Sequence, residues 1–372
     1  MGDVSQALHD RFVESLRAAV TPLNLQDHIE VVVANDDYDP KNDYASVVLY
    51  FGAEGLAVNE ARLRALMRDG TPVLPLVKDL KRFSHTTPEC LHVINGLELD
   101  ERDDALARPV SLALEMLGLL PRQRRIFVSY KRDESTEAAL QLFEYLSQLK
   151  FDVFLDTHGV PAGDDFQEVL WHRLSDSDVL VMLDTAHYFE SRWTSLEFGR
   201  ALAKSLVPLR IGWPEVVPAP RSLAGESLQL TNADFEPGGK RLTPDALVEA
   251  GVAIEKARSR GLAMRSAEMN GAVIVAAEKI DGRFLALGPK RSVIIELPPG
   301  RKVVVCPVVG VPSAEHLHEA SMLREGDARA VAFDDAGVAK RWQDHLTWLG
   351  GQVSSAQFIR KGHAAWDLAA LE

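Results

Sequence analysis

Trp193 and Glu197 stand four residues apart, about one helical turn, so on a helix their side chains share a face. A carboxylate walled by an indole can offset positive charge that develops on a bound sugar, as in the cleavage of a glycosidic bond, while the ring keeps water out. Phe127, Tyr130 and Phe166 offer flat surface for stacking a heteroaromatic ring, and Ser129 offers a hydroxyl at a strand end. Each also has a structural reading. Glu197 suits the first turn of a helix, where acids complement the macrodipole. Trp193 could cap the core, Phe127 could lie within it, and Ser129 could satisfy the end of its strand. Other constellations carry less chemistry. Glu315, His316, His318 and Glu319 place their histidines at i and i+2, on different sides of a helix, so no metal site is expected. Gly310-Val311-Pro312-Ser313 could present an anion-binding helix start, although a serine N-cap is the commoner use of such a segment. No glycine-rich phosphate loop is present, and no cofactor is expected.

These residues need strands and helices to place them. Ile126–Tyr130 reads as a strand, followed by a helix carrying Leu142, Phe143, Leu146 and Leu149 on one face. Strands at Phe151–Leu155, Val179–Leu183 and Val207–Ile211 alternate with helices over Phe166–Leu174 and Thr194–Lys204. That alternation predicts a doubly wound parallel sheet, which binds ligands at the carboxyl ends of its strands. Asp156–Asp165, with Gly159, Pro161 and Gly163, reads as a shaped surface loop. The Pro- and Gly-rich stretch from Trp213 to about Thr243 closes the unit, with an edge strand at Ser227–Leu230. Before it, the periodicity predicts a helix over 5–20, a strand at Ile29–Val33, a strand at Ser46–Phe51, a helix over Asn59–Arg68, a strand at Pro72–Val77 and a helix over Pro109–Leu117. Beyond it, strands are expected at Val293–Glu296 and Val303–Val305, and helices near Ser313–Leu323 and Val338–Leu349. The expected division is an α/β domain over 1–120, a central α/β domain over 121–243 and a C-terminal α/β domain over 244–372.

Composition narrows the function. The chain has 372 residues and a formal net charge of −13, which does not suit a protein that coats nucleic acid. Its two cysteines, Cys90 and Cys306, are far apart and read as reduced thiols rather than a disulfide framework. No secretory signal is visible in the N-terminal residues, and no apolar run approaches the roughly 18 residues of a membrane span. The expected location is cytoplasmic, without a membrane or nucleic-acid partner.

In order, the central third resembles the Toll/interleukin-receptor-like (TIR) domain, of the bacterial NAD-cleaving type. The motifs are Phe127-Val128-Ser129-Tyr130 with Asp133, then Phe154-Leu155-Asp156, then Gly163 with Phe166, then Tyr188, Ser191, Trp193 and Glu197. Two positions depart from the family pattern: Asp184 stands where a serine usually ends the third strand, and Thr194 where a cysteine often follows the tryptophan. Asp184 adds a second acid near the expected pocket mouth. The resemblance implies a flavodoxin-like fold and Glu197 as the catalytic residue. It also implies that Trp193, Ser129, Tyr130, Phe127, Phe166 and Tyr188 line the substrate site. The implied reaction is hydrolysis or cyclisation at the nicotinamide–ribose bond of NAD+, which is substrate rather than cofactor. The implied setting is an immune-type or anti-phage response, with activity switched on by self-association of TIR domains. The alternatives are a non-catalytic TIR adaptor and a nucleotide-sensing signalling protein.

Overall fold

The computed structural model describes residues 1–2, 4–33, 44–55, 60–99, 106–155, 166–190, 192–220, 222 and 225–371; the side chains of 166, 167, 192–196 and 203 also lie outside the description. The contacts divide the chain into two compact units, Met1–Arg122 and Gln123–Glu372.

The first unit opens with α1 (Gln6–Val20), capped by the Ser5 hydroxyl, which accepts from the Leu8 amide at 3.2 Å. Phe12, Leu16 and Val20, each four residues apart, bury the apolar face. Then come β1 (Val48–Phe51), α2 (Glu60–Arg68), β2 (Val73–Val77), the short α3 (Phe83–Thr86), β3 (Leu97–Glu98) and α4 (Ala107–Met116). The strands pair in parallel in the order β1-β2-β3. Pro109 falls in the first turn of α4, where an amide hydrogen is not needed, and Gly118 takes a positive φ of 70° just past its end. One expected strand is absent: Ile29–Val33 has no strand conformation, and Val32 and Val33 are exposed. A β-branched run favours a strand only where a neighbouring strand and a core receive it.

The second unit holds two sheets. The first contains β4 (Arg125–Ser129), α5 (Arg132–Gln148), β5 (Asp152–Leu155), α6 (Phe166–Ser175), β6 (Val179–Asp184), α7 (Arg192–Ala203), β7 (Pro208–Gly212) and β8 (Glu226–Gln229). All neighbouring strands are parallel, in the order β5-β4-β6-β7-β8. This is the flavodoxin-like order 2-1-3-4-5, with helices on both faces. Phe127, Phe154, Leu180 and Met182 face Leu170 and Leu174 of α6 and Phe198 of α7. Ile126, Val128, Val181 and Ile211 face Leu142 and Leu146 of α5 on the other side.

The long helix α8 (Pro244–Glu278) is the main departure from the sequence expectation. Thr243 caps it, its hydroxyl accepting from the Ala246 amide at 3.2 Å, and Pro244 occupies its first turn. Its 35 residues span about 52 Å at 1.5 Å per residue. The first half, through Ala246, Ala250, Ile254 and Ala257, completes the core on the α5 face of the sheet. The second half, through Met269, Val273, Ala276 and Ala277, packs on another sheet.

That sheet comprises β9 (Arg283–Leu287), β10 (Val293–Leu297), β11 (Arg301–Pro307), β12 (Ala328–Phe333) and β13 (Gln357–Arg360) in the order β13-β12-β11-β10-β9. β9 to β11 form an antiparallel meander, and β11 to β13 are parallel. Helices α9 (Ala314–Ser321), α10 (Lys340–Gln352) and α11 (Ala364–Ala369) complete it. The sequence reading found β10, β11, α9 and α10 here, and missed β9, β12, β13, α11 and all of α8. Where α8 crosses from one sheet to the other, its charged side chains are engaged by the TIR segment. Glu255 pairs with Arg124, Arg258 donates to Asp178 at 2.7 Å, and Arg265 donates to the Ser177 carbonyl at 2.8 Å.

Candidate active site

β4 is an apolar strand, so its side chains alternate between the two faces of the sheet. Phe127 and Ser129 therefore point toward α7, and Val128 and Tyr130 toward α5. Ser129 ends the strand at the carboxyl edge. β4 and β6 are the strands between which the order of connection reverses, and ligands of such sheets bind in the crevice at that reversal.

Past the end of β6 the chain makes a short helical turn over Tyr188–Glu190 and enters α7. Phe189 braces both, meeting Tyr188 edge-on with ring centroids 4.9 Å apart and Phe198 edge-on at 5.5 Å. The result is a chain of three buried side chains. The Tyr188 hydroxyl donates to Ser129 Oγ at 2.8 Å, and Ser129 Oγ donates to Glu197 Oε2. Glu197 is only 3% exposed. A buried carboxylate needs donors to hold its charge, and the two hydroxyls form a relay that ends on it.

The structure thus brings Ser129, Tyr188 and Glu197 together. Phe127 is wholly buried, its ring 5.1 Å from that of Phe154 in the core beneath. Tyr130 is buried in the cluster on the opposite face. Trp193 and Phe166 lie in the first turns of α7 and α6, but their side chains are outside the described residues, as are Ser191, Thr194's side chain and the whole loop 156–165 with Gly159, Pro161 and Gly163.

Two further groups border this edge of the sheet. Asp184, which the sequence presented as a second acid at the mouth, is buried and engaged: Arg210 Nε donates to its Oδ2 at 2.5 Å. The same guanidinium reaches Ser227 Oγ at 3.3 Å, Gln229 Oε1 at 2.7 Å and the Val216 carbonyl at 3.2 Å. The acid is matched by a buried cation on the neighbouring strand. Gly212 makes room, since a Cβ there would collide with the Arg210 guanidinium. The signal for this pair was an arginine inside the apolar run Val207–Ile211, because a buried charge requires a partner.

The second group surrounds Glu134, in the first turn of α5. Lys131 Nζ donates to it at 3.1 Å, the His187 backbone amide donates to it at 3.3 Å, and His187 Nδ1 lies 2.7 Å from it. Partial burial works to raise its pKa, but the nearby Thr185 hydroxyl and the hydrogen bonds from Lys131 and His187 outweigh it and hold the carboxyl down at about 2. Among the described residues no cluster of histidine, cysteine and carboxylate groups could hold a metal ion, and no helix is long and apolar enough to cross a membrane.

The family model described as "TIR domain" matches residues 126–243. No curated protein matches the chain. Among solved structures, the one described as "Crystal Structure Analysis of the Glycotransferase of kitacinnamycin" is 15% identical over 71% of this chain and 82% of its own, with a TM-score of 0.20, too low to carry an argument about fold. The matched segment begins with β4 and ends at the cap of α8, so it takes in the five parallel strands and the Tyr188–Ser129–Glu197 relay. Residues 126–243 of this chain are a TIR domain set within a larger α/β protein.

Proposed function

We propose that the chain is an NAD+ nucleosidase of the TIR type, hydrolysing the nicotinamide–ribose bond or cyclising the ADP-ribose product, with Glu197 as its catalytic residue. The observation that carries this reading is the hydroxyl relay from Tyr188 through Ser129 to Glu197 at the carboxyl edge of the TIR sheet.

The chemistry suits one carboxylate. When the C1′–N bond breaks, its electron pair stays with the pyridinium nitrogen and nicotinamide leaves neutral, so departure needs no general acid. Positive charge develops on the ribose, and a negative carboxylate beside it lowers the barrier. In hydrolysis, water then bonds to C1′ and loses a proton to solvent, giving ADP-ribose. In cyclisation, a nucleophilic atom of the ADP-ribosyl group takes the place of water. Ser129 and Tyr188 orient the carboxylate, and Trp193 and Phe166 stand at positions from which they could wall the pocket. Arg210 neutralises Asp184, so Glu197 rather than Asp184 is assigned to the ribose.

The burial of Glu197 supports control by assembly: substrate requires an opening at the carboxyl edge, and self-association of TIR domains would supply it in an immune-type or anti-phage setting. The same burial favours a second reading, a non-catalytic TIR scaffold in which Glu197 only fixes α7 to β4. One experiment separates them. Purified protein is incubated with NAD+ across a range of protein concentrations, with nicotinamide release followed by chromatography. The glycohydrolase reading expects turnover that Glu197→Gln lowers by about a thousandfold without altering the fold, since removing one preorganised charge interaction costs that order of rate. Wild-type protein inert at every concentration, or a Glu197→Gln variant as active as wild type, would overturn it.

A further inference from the structure

We propose that Glu134 is a positioning residue for the candidate site: it clamps the turn that carries Tyr188 to the start of α5, and so sets the Tyr188 hydroxyl on Ser129 and, through Ser129, the carboxylate of Glu197. Its bearing on turnover rests on the glycohydrolase reading; the clamp itself does not.

Two segments meet at the carboxyl edge of the TIR sheet. One runs from Ser129 at the end of β4 through Lys131 into the first turn of α5. The other runs from Asp184 at the end of β6 through His187 to Tyr188. Hydrogen bonds join them on both faces of the sheet. On the α7 side, Tyr188 donates to Ser129 Oγ at 2.8 Å, across 59 residues of chain. On the α5 side, Glu134 meets His187 across 53 residues: its Oε2 accepts from the His187 amide at 3.3 Å, and its Oε1 lies 2.7 Å from His187 Nδ1. His187 and Tyr188 are neighbours in the chain, so what fixes the backbone of one fixes the root of the other's side chain.

The bond from Tyr188 to Ser129 needs that second anchor. The hydroxyl stands at the far tip of its side chain, so a small rotation of the turn carries it out of reach of Ser129. A misplacement of about 1 Å near reacting groups can cost about a hundredfold in rate. The rings of Phe189 and Phe198 brace the turn from the α7 side, but apolar contact resists separation more than it sets direction. Hydrogen bonds to a carboxylate are directional and about twice as strong as bonds between neutral groups.

The start of α5 holds Glu134 in place for this. Ser135 departs from helical backbone, with φ −140° and ψ 19°, so the turn that bears Glu134 is set off from the body of the helix. The Ser135 amide at 3.0 Å and its hydroxyl at 3.3 Å both donate to the Lys131 carbonyl and close that turn on itself. Lys131 Nζ donates at 3.1 Å to the same Glu134 oxygen that faces His187 Nδ1. The carboxylate is thus held from its own turn and from the turn before Tyr188 at once.

The test uses the full-length chain and reads the clamp apart from the chemistry. Hydrogen exchange followed by mass spectrometry reports on the segment 185–190. Glu134→Gln removes the charge and keeps the shape, and exchange of that segment should rise about tenfold or more while the strands of the sheet keep their protection. With NAD+, kcat should fall about tenfold at a KM within about twofold of wild type. His187→Ala alters a side chain that is 54% exposed, so it should fold as wild type does, and it should lower kcat about threefold. Action through Tyr188 has a further signature. In a Tyr188→Phe background neither change should lower kcat by more than about twofold again, whereas a residue that only supports the fold costs the same in both backgrounds. The proposal is overturned by unchanged exchange over 185–190 in Glu134→Gln, or by losses of kcat that are equal in the two backgrounds. A wild-type chain without turnover removes the glycohydrolase reading instead, and the exchange measurement then decides the clamp.

Discussion

At Glu197 a carboxylate sits at 3% exposure and accepts a hydrogen bond from Ser129, which in turn accepts one from Tyr188. The geometry makes Ser129 a positioning group for the carboxylate. On the proposed glycohydrolase reading, Ser129→Ala should leave the substrate KM nearly unchanged and lower kcat about 10- to 100-fold; whatever the activity, about 1–2 kcal/mol of stability should be lost from the orphaned buried donor and acceptor. Tyr188→Phe should do the same more weakly, since Ser129 can still donate to Glu197. Steady-state NAD+ kinetics beside thermal melting checks both, and a Ser129→Ala enzyme with full kcat would remove the relay from catalysis. Gly212→Ala is a second residue-scale prediction. The added methyl would displace the Arg210 guanidinium and leave Asp184 buried without its cation, so a loss of about 3 kcal/mol or more is expected in urea unfolding.

Among the elements, α5 and α8 have the clearest consequences. Glu134 in the first turn of α5 has its carboxyl held at about 2, below the ordinary 4.5, by its hydrogen-bond donors. A depressed folded pKa contributes stability that is complete above the unfolded value and is lost as pH falls from 4.5 toward 2. Glu134→Gln should therefore cost on the order of 2 kcal/mol at pH 7 and much less near pH 2.5, measured by chemical unfolding at both pH values. A gap between the proteins that stays constant with pH would show that the bonds do not favour the ionised form. For α8, the first half supplies the cover of the α5 face of the TIR sheet although it lies beyond the matched family segment. A fragment of 123–243 should be unfolded or aggregated, because cutting there bares the face that Ala250, Ile254 and Ala257 bury, while 123–372 should fold. Ile254→Ala in the full chain should cost about 2–5 kcal/mol. A cooperative melt from the 123–243 fragment would show that the helix is dispensable.

For the whole molecule, Met1–Arg122 has its own three-stranded sheet and core, and Gln123–Glu372 joins two sheets through one helix. Removing 1–122 should therefore leave a second unit that unfolds in one transition, followed by circular dichroism. If assembly opens the site, turnover per chain should rise with protein concentration in parallel with mass measured by light scattering. Deletion of 1–122 should shift that dependence, upward in basal activity if the segment restrains the enzyme and downward if it assembles it. Constant specific activity from a monomer, unchanged by the deletion, would refute control by assembly.

The sequence by itself determined the local frame of the TIR domain. Strand periodicity placed Phe127, Ser129 and Tyr130 on one strand, and helical spacing placed Trp193 and Glu197 on one helix; that Tyr130 turns to the face opposite Ser129 came with the structure. The strand and helix placements follow from short-range sterics and periodicity, which each segment carries alone. The tertiary structure decided the pairings. That Tyr188 reaches Ser129, across 59 residues, depends on β4 lying beside β6. That Asp184 is matched by Arg210 depends on β7 lying next to β6. Ile29–Val33 had the composition of a strand and no strand to join. The helix α8 hid because it buries different sides against two sheets, so no single apolar stripe marks it. Its Glu255, Arg258 and Arg265 look like surface charges until Arg124, Asp178 and the Ser177 carbonyl are brought to them. Burial turns such charges into structural ties only when distant segments supply their partners, and that supply is a property of the fold.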